Sequence, residues 1–242
     1  MDSDPRAARA GPGSPEPAPP SGAHPGFGSG AMLWLVRHAE VEASARSRAY
    51  GSDDVALSPE GLLRSDELAL SLARLCPARL LSSPLQRALY LAHRTGAALG
   101  REPRVEPGLA EVDRGRWQSL EVAELHRRHT DEVVAFHTDP WSFRGHGGES
   151  DSDVVARAWP ILEREARAHP GAALVFVCHY NVIRCLVSVA LGLPPARSFA
   201  LRLDKARALL LEDRPTGFKL VASNLHDPGA FEARDEHLGA VR

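Results

Sequence analysis

Three places in the chain put charged or nucleophilic side chains where a short apolar run ends. Arg37-His38 closes Met32-Leu33-Trp34-Leu35-Val36, His179 closes the run from Ala172 to Cys178, and Arg87 stands a few residues beyond Leu80-Leu81-Ser82. Two guanidinium groups offer planar forks of donors that match phosphate oxygens, and they stay charged at any working pH. Ser83-Pro84 reads as the start of a helix, whose amino-terminal amides favour a nearby anion. A histidine set between cations is biased toward its neutral form, which has the lone pair needed to attack phosphorus. Such a pocket also stabilises charge on a phosphoryl group in transfer, work that a metal ion does elsewhere. Each residue alone has an ordinary structural explanation. Together they point to an oxyanion site.

The elements that must assemble this site follow from the hydrophobic pattern. Met32 to Val36, Leu80 to Ser82 and Ala172 to Cys178 read as strands, the last apolar on both faces and therefore central, and Arg104-Val105 begins another. Ser58-Pro59-Glu60 supplies an N-cap, a proline at the first helical position and an early acid, opening a helix to about Leu75. After Ser83-Pro84, the residues Leu85, Ala88, Leu89 and Ala92 share a face. Ser150 caps a helix with the stripe Val154, Val155, Ala158, Ile161 and Leu162, and Val182, Ile183, Leu186, Val187 and Ala190 line the helix after His179. Later strands are expected over Phe199–Leu211 and Phe218–Ala222. Strands alternating with helices predict an α/β fold, a three-layer α/β/α sandwich around a mostly parallel sheet. In open sheets of this kind ligands bind beyond the carboxyl ends of the strands, where Arg37, His38, Arg87 and His179 fall.

Composition narrows the classes. The 242 residues suit one domain with unstructured ends, and 43% hydrophobic residues suffice for a core. Residues 1–30 are dense in Pro, Gly, Ala and Ser and are read as a disordered tail, with the domain over 31–228 and a second tail over 229–242. The net charge of −2 gives no global field for nucleic acid or an anionic membrane, and no apolar run spans a bilayer. Cys76, Cys178 and Cys185 form no CxxC pair and read as thiols of a reducing, cytoplasmic compartment. His126 and His129 share a helical face but lack a third ligand, so no metal site is expected there. His137, His146 and His169 read as surface residues.

The run Leu35-Val36-Arg37-His38-Ala39-Glu40 resembles the Arg-His-Gly signature of the histidine phosphatase superfamily, the phosphoglycerate mutase-like proteins. Leu81-Ser82-Ser83-Pro84-Leu85-Gln86-Arg87-Ala88 is similar to that family's second motif, and Leu109 to Trp117 to the segment holding its proton donor. Gly148-Glu149-Ser150 and Val177-Cys178-His179 complete the series in order across about residues 32–226. The resemblance implies a phosphoglycerate mutase-like fold, with residues 112–149 as an insertion over the pocket mouth. It implies His38 as nucleophile, Glu111 as proton donor, and Arg37, Arg87 and His179 as phosphate ligands. Ser44 stands where an asparagine often touches the phosphate. Ala39 replaces the usual glycine, and Trp117-Gln118-Ser119 stands where Trp-Glu-Gly is commoner.

The implied activity is metal- and cofactor-free hydrolysis of a small phosphorylated metabolite through a phosphohistidine, by a monomer or homodimer. The stretch from Glu111 to His179 is short beside the insertion of the mutases, which favours hydrolysis over transfer. Broad-specificity, α-ribazole-phosphate and fructose-2,6-bisphosphatase-like activities stay open. So do mutase-type phosphoryl transfer and a silent phosphate-binding scaffold.

Overall fold

In the computed structural model, which describes residues 18–231, six strands form one sheet in the order β3-β2-β4-β1-β5-β6. They are β1 (Met32–Arg37), β2 (Arg79–Ser82), β3 (Arg104–Val105), β4 (Ala173–Cys178), β5 (Arg207–Arg214) and β6 (Gly217–Leu225). β1 to β4 run parallel, while β5 and β6 form an antiparallel hairpin along β1. The helices are α1 (Pro59–Arg74), α2 (Gln86–Leu99), α3 (Val122–Arg128), α4 (Thr130–Thr138), α5 (Asp151–Ala168) and α6 (Tyr180–Leu191).

The alternation of side chains along β1 and β4 builds two cores at once. Leu33, Leu35, Leu174, Phe176 and Cys178 face α5 and α6, whereas Trp34, Val36, Val175 and Val177 face α1 and α2. A strand covered on both sides has no polar face to show, hence the unbroken apolar runs. The expected three-layer sandwich is therefore present. A third, smaller cluster of Trp117, Leu125, Val133 and Phe136 lies in the segment between β3 and α5.

Two expectations change. The span Phe199–Leu211 is not one strand: a 3-10 segment covers Pro195–Ala200 and the strand begins at Arg207. Residues expected in the amino-terminal tail also pack. Phe27 lies edge-on to Phe218 and against Trp159, and His24 joins the same cluster. The carboxylate of Asp213, fully buried in β5, accepts the amides of Phe27, Gly28 and Ser29. Residues 1–17 of that expected tail lie outside the described residues, as do 232–242 of the second. At the other end Gly229 donates to Ser71 Oγ and Phe231 meets the edge of Trp34.

An Asp213→Ala change strands those amides and is expected to lower stability by about 2–4 kcal/mol. Denaturant unfolding measures the loss, and limited proteolysis should then cut near Phe27. An unchanged midpoint would mean the clasp adds nothing.

Candidate active site

Register brings the site together. In the parallel pairing Arg37 lies opposite Cys178 and Ser82 opposite Val177, so His38, His179 and Ser83 leave adjacent strands side by side. The His38 amide donates to Cys178 O and the Ser83 amide to Val177 O, which carries the ladder into the loops. The two imidazole centroids are 5.1 Å apart.

His38 is 2% exposed and its Nδ1 lies 2.7 Å from Ala39 O. A carbonyl only accepts, so Nδ1 carries the proton and Nε2 keeps the lone pair. His179 Nε2 is 2.7 Å from Ser83 Oγ. Ser83 does not cap α2 in the expected way: the helix begins at Gln86 with Leu85 as N-cap, which leaves Arg87 in the first turn. Arg87 is fully buried and donates to Gly51 O and Asp53 O, with its guanidinium over Tyr50. Arg37 donates to Leu203 O and lies over Tyr180. Among the described residues His179 Nδ1, Arg37 Nε and Arg87 Nε are buried without a protein partner. Buried polar atoms of this kind are what an oxyanion satisfies.

Glu111, 6% exposed, sits in the loop after a short turn at Pro107–Leu109. Its Oε1 accepts the Val112 amide, and its Oε2 accepts from the Asn181 side chain and, at 3.4 Å, the Asn181 amide. The loop is braced from behind by Arg157 of α5, which donates to Gly108 O and Ala110 O. Glu149 holds Arg157 with both carboxylate oxygens and accepts the Asp113 amide. The Gly148 backbone passes so close to Asp113 that a Cβ would meet its carbonyl at 2.3 Å. The Gly148-Glu149-Ser150 motif therefore positions the acid loop, and Ser150 caps α5 in a reciprocal box with Asp153.

Five of the six expected site residues converge. Ser44 does not: it is exposed in a turn and does not line the pocket. Asn181 and Arg157 are additions that the sequence did not single out. His146, expected at the surface, is fully buried against Trp117, because Gly148 turns the chain back and donates to its Nδ1. Among the described residues no three His, Cys, Asp or Glu side chains are grouped to hold a metal ion, and no helix is long and apolar enough to cross a membrane.

Burial is the largest influence depressing both site histidines well below the ordinary imidazole range. Arg87 comes next for His38, and the His38 ring and then Arg87 for His179. His146 is brought down to about 4, by burial first and then Arg114. Both active-site rings are thus neutral at working pH. As pH falls through about 6.5 the unfolded chain protonates its histidines while these three stay neutral. The unfolded state then binds more protons, so stability should decline from about pH 6.5 downward. Urea midpoints are expected to be level between about pH 7 and 8 and lower at about pH 5.5. A midpoint steady down to pH 5 would contradict neutral rings in the folded protein.

The sequence matches the histidine phosphatase superfamily (branch 1) over residues 33–226. This chain belongs to that family. It is 32% identical over 172 residues to glucosyl-3-phosphoglycerate phosphatase of Mycobacterium tuberculosis strain H37Rv, covering 68% of this chain and 77% of that protein. It is 29% identical over 174 residues to phosphoserine phosphatase 1 of Hydrogenobacter thermophilus, covering 72% and 82% respectively. The solved structure of the mycobacterial glucosyl-3-phosphoglycerate phosphatase in complex with VO3 superposes with a TM-score of 0.74, at 29% identity over 80% of this chain and 98% of that one. Membership in the family agrees with the motif series and with the superposition of the fold.

Proposed function

We propose that this protein hydrolyses small phosphomonoesters by passing the phosphoryl group first to His38 Nε2 and then to water. The observation that carries the reading is the pairing of a neutral, tautomer-defined His38 with His179 at 5.1 Å, both under the charges of Arg37 and Arg87. Nε2 attacks phosphorus as the P–O bond to the leaving group breaks, while Arg37, Arg87 and His179 bind the equatorial oxygens. Glu111 gives its proton to the leaving oxygen. It then takes a proton from the water that displaces phosphate from His38. Asn181 and the Val112 amide hold the Glu111 carboxyl in place for both steps.

The guanidinium charges do here what a metal would do, so the reading calls for no cofactor. It includes a cytoplasmic setting, supported by free thiols at Cys76, Cys178 and Cys185, and a monomer or homodimer. The relatives' names concern phosphoserine and glucosyl-3-phosphoglycerate, and on this reading the present substrate is a comparably small phosphorylated metabolite.

The test is release of p-nitrophenol from p-nitrophenyl phosphate in excess EDTA. Turnover in EDTA supports the reading. No turnover anywhere between about pH 5 and 8 would replace it with a phosphate-binding role. Phosphate delivered to a second metabolite faster than to water would replace it with mutase-type transfer.

A further inference from the structure

The pocket mouth holds one cation that the hydrolytic reading leaves unused. A cavity of about 350 Å3 runs outward from Arg37, His38 and Glu111 to a chamber walled by Trp117, Val122, Leu125, Phe136 and Phe199. Arg114 lines that cavity. It is half-buried, its guanidinium carbon lies over the Phe136 ring 5.0 Å from the centre, and its side chain makes no hydrogen bond or ion pair with any described residue. The other two arginines of the lining are engaged, Arg37 with Leu203 O and Arg48 with Glu121.

None of the nearby described carboxylates forms an ion pair with it. Glu132 takes Arg116 and the Trp117 indole, Glu149 takes Arg157, Asp113 accepts the Gly115 amide, and Glu111 is held by Val112 and Asn181. The loop itself is well anchored, since the Arg114 amide donates to Gln118 Oε1 and Gly115 adopts a φ of +52°. A guanidinium whose N–H groups no described residue engages can receive a carboxylate through two parallel hydrogen bonds.

Arg114 shares the cavity with Arg37, His38 and Glu111, and the Glu111 carboxylate is the charge that acts on it most strongly. It is not among the main charges acting on His38 and His179, and it acts in turn on His137, also in the lining. Around it the chamber is mainly aromatic and aliphatic, with Tyr50, His126 and His137 as further polar side chains, and the one amide side chain of the lining, Asn181, is occupied with Glu111. A polyol would find fewer partners there than it has in water, whereas an apolar or aromatic body matches most of the wall.

We infer that the substrate is a phosphomonoester with a compact apolar or aromatic body bearing a carboxylate, and that Arg114 binds the carboxylate. The inference rests on the hydrolytic reading only for where the phosphoryl group sits. It separates this site from one built for a sugar or for a bare phosphorylated hydroxy acid.

Calorimetric binding to the full chain carrying His38→Ala tests this without turnover. The probes are phenyl phosphate, 3-carboxyphenyl phosphate and 3-phosphoglycerate. The aryl acid is expected to bind about tenfold more tightly than phenyl phosphate, and an added Arg114→Gln to bring the two within about twofold. Arg114→Lys should keep part of the preference, since it retains the charge without the fork. Equal affinities in the Arg114-containing protein, or a preference that survives Arg114→Gln in protein that melts normally, would overturn the assignment. So would 3-phosphoglycerate binding as tightly as the aryl acid. A preference that holds while the protein with His38 intact releases no phosphate would sink the hydrolytic reading and leave Arg114 standing.

Discussion

His38→Ala should cut turnover of p-nitrophenyl phosphate by a factor on the order of 10^4 or more, with little change in the melting temperature. The side chain contributes the lone pair at Nε2, and the Nδ1–H bond to Ala39 O sets which nitrogen holds it. The neighbouring candidates are committed elsewhere: His179 Nε2 to Ser83 Oγ and the Glu111 carboxylate to Val112 and Asn181. Arg37 and Arg87 remain, so affinity for inorganic phosphate should persist and distinguish a lost nucleophile from a collapsed pocket. Brief exposure to a labelled substrate, followed by quenching, should trap label on the protein that is stable to alkali and released by acid. That label should be absent from the alanine variant. Glu111→Gln should make it accumulate, because p-nitrophenolate departs with little help while attack by water still needs a base. Activity within about tenfold of the parent after His38→Ala would place the nucleophile elsewhere.

How much of this was readable beforehand differs residue by residue, for physical reasons. Arg37, His38 and His179 were legible because they end apolar runs, and parallel strands of similar length end in one row. The sandwich was legible because Leu33, Leu35, Trp34 and Val36 are all apolar, which only a strand covered on both faces requires. Arg157 left a weaker trace. It stands three residues after Val154, on the edge of a buried stripe, and a charge there needs a partner. Asn181 left none, since an asparagine in the first turn of a helix has many ordinary uses. Ser44 was placed by likeness of position alone. Nothing in its surroundings demanded a phosphate contact, and the turn carries it to solvent.

The misread ends show the limit of local composition. Residues 18–30 look unable to bury anything, and locally that holds. Their packing depends on Trp159, Phe218 and the Asp213 carboxylate, partners far along the chain that no window can see. His146 likewise sits among glycines that suggest an open loop, yet Trp117 closes over it. Ser119 is a different case. It stands where the family more often has glycine, and its φ of 63° is the left-handed conformation that glycine adopts without strain. Its hydroxyl bonds to Asp53, beside the Arg87 anchor at Asp53 O, so the departure has a local compensation.

Asp151→Ala should be the most damaging change outside the reacting groups, lowering stability by about 3–5 kcal/mol and the melting temperature by roughly 6–20 °C. Asp151 opens α5 and meets Arg184 of α6 through two hydrogen bonds of 2.6 Å, with both side chains at most 4% exposed. Arg184 also donates to Ser198 Oγ and stacks 4.1 Å over Phe199, a wall of the substrate chamber. Removing the carboxylate leaves a guanidinium buried with one neutral acceptor, and the desolvation already incurred is no longer offset. The chamber should loosen with it, so KM is expected to rise more than kcat falls. Replacing the pair together, Asp151→Leu with Arg184→Met, should recover most of the stability because no stranded charge remains. Recovery of stability without recovery of KM would show that the pair shapes the chamber through Phe199 in addition to holding α5 against α6. A loss below about 1 kcal/mol for Asp151→Ala would mean that water reaches Arg184 and that the two helices are held by their apolar faces alone.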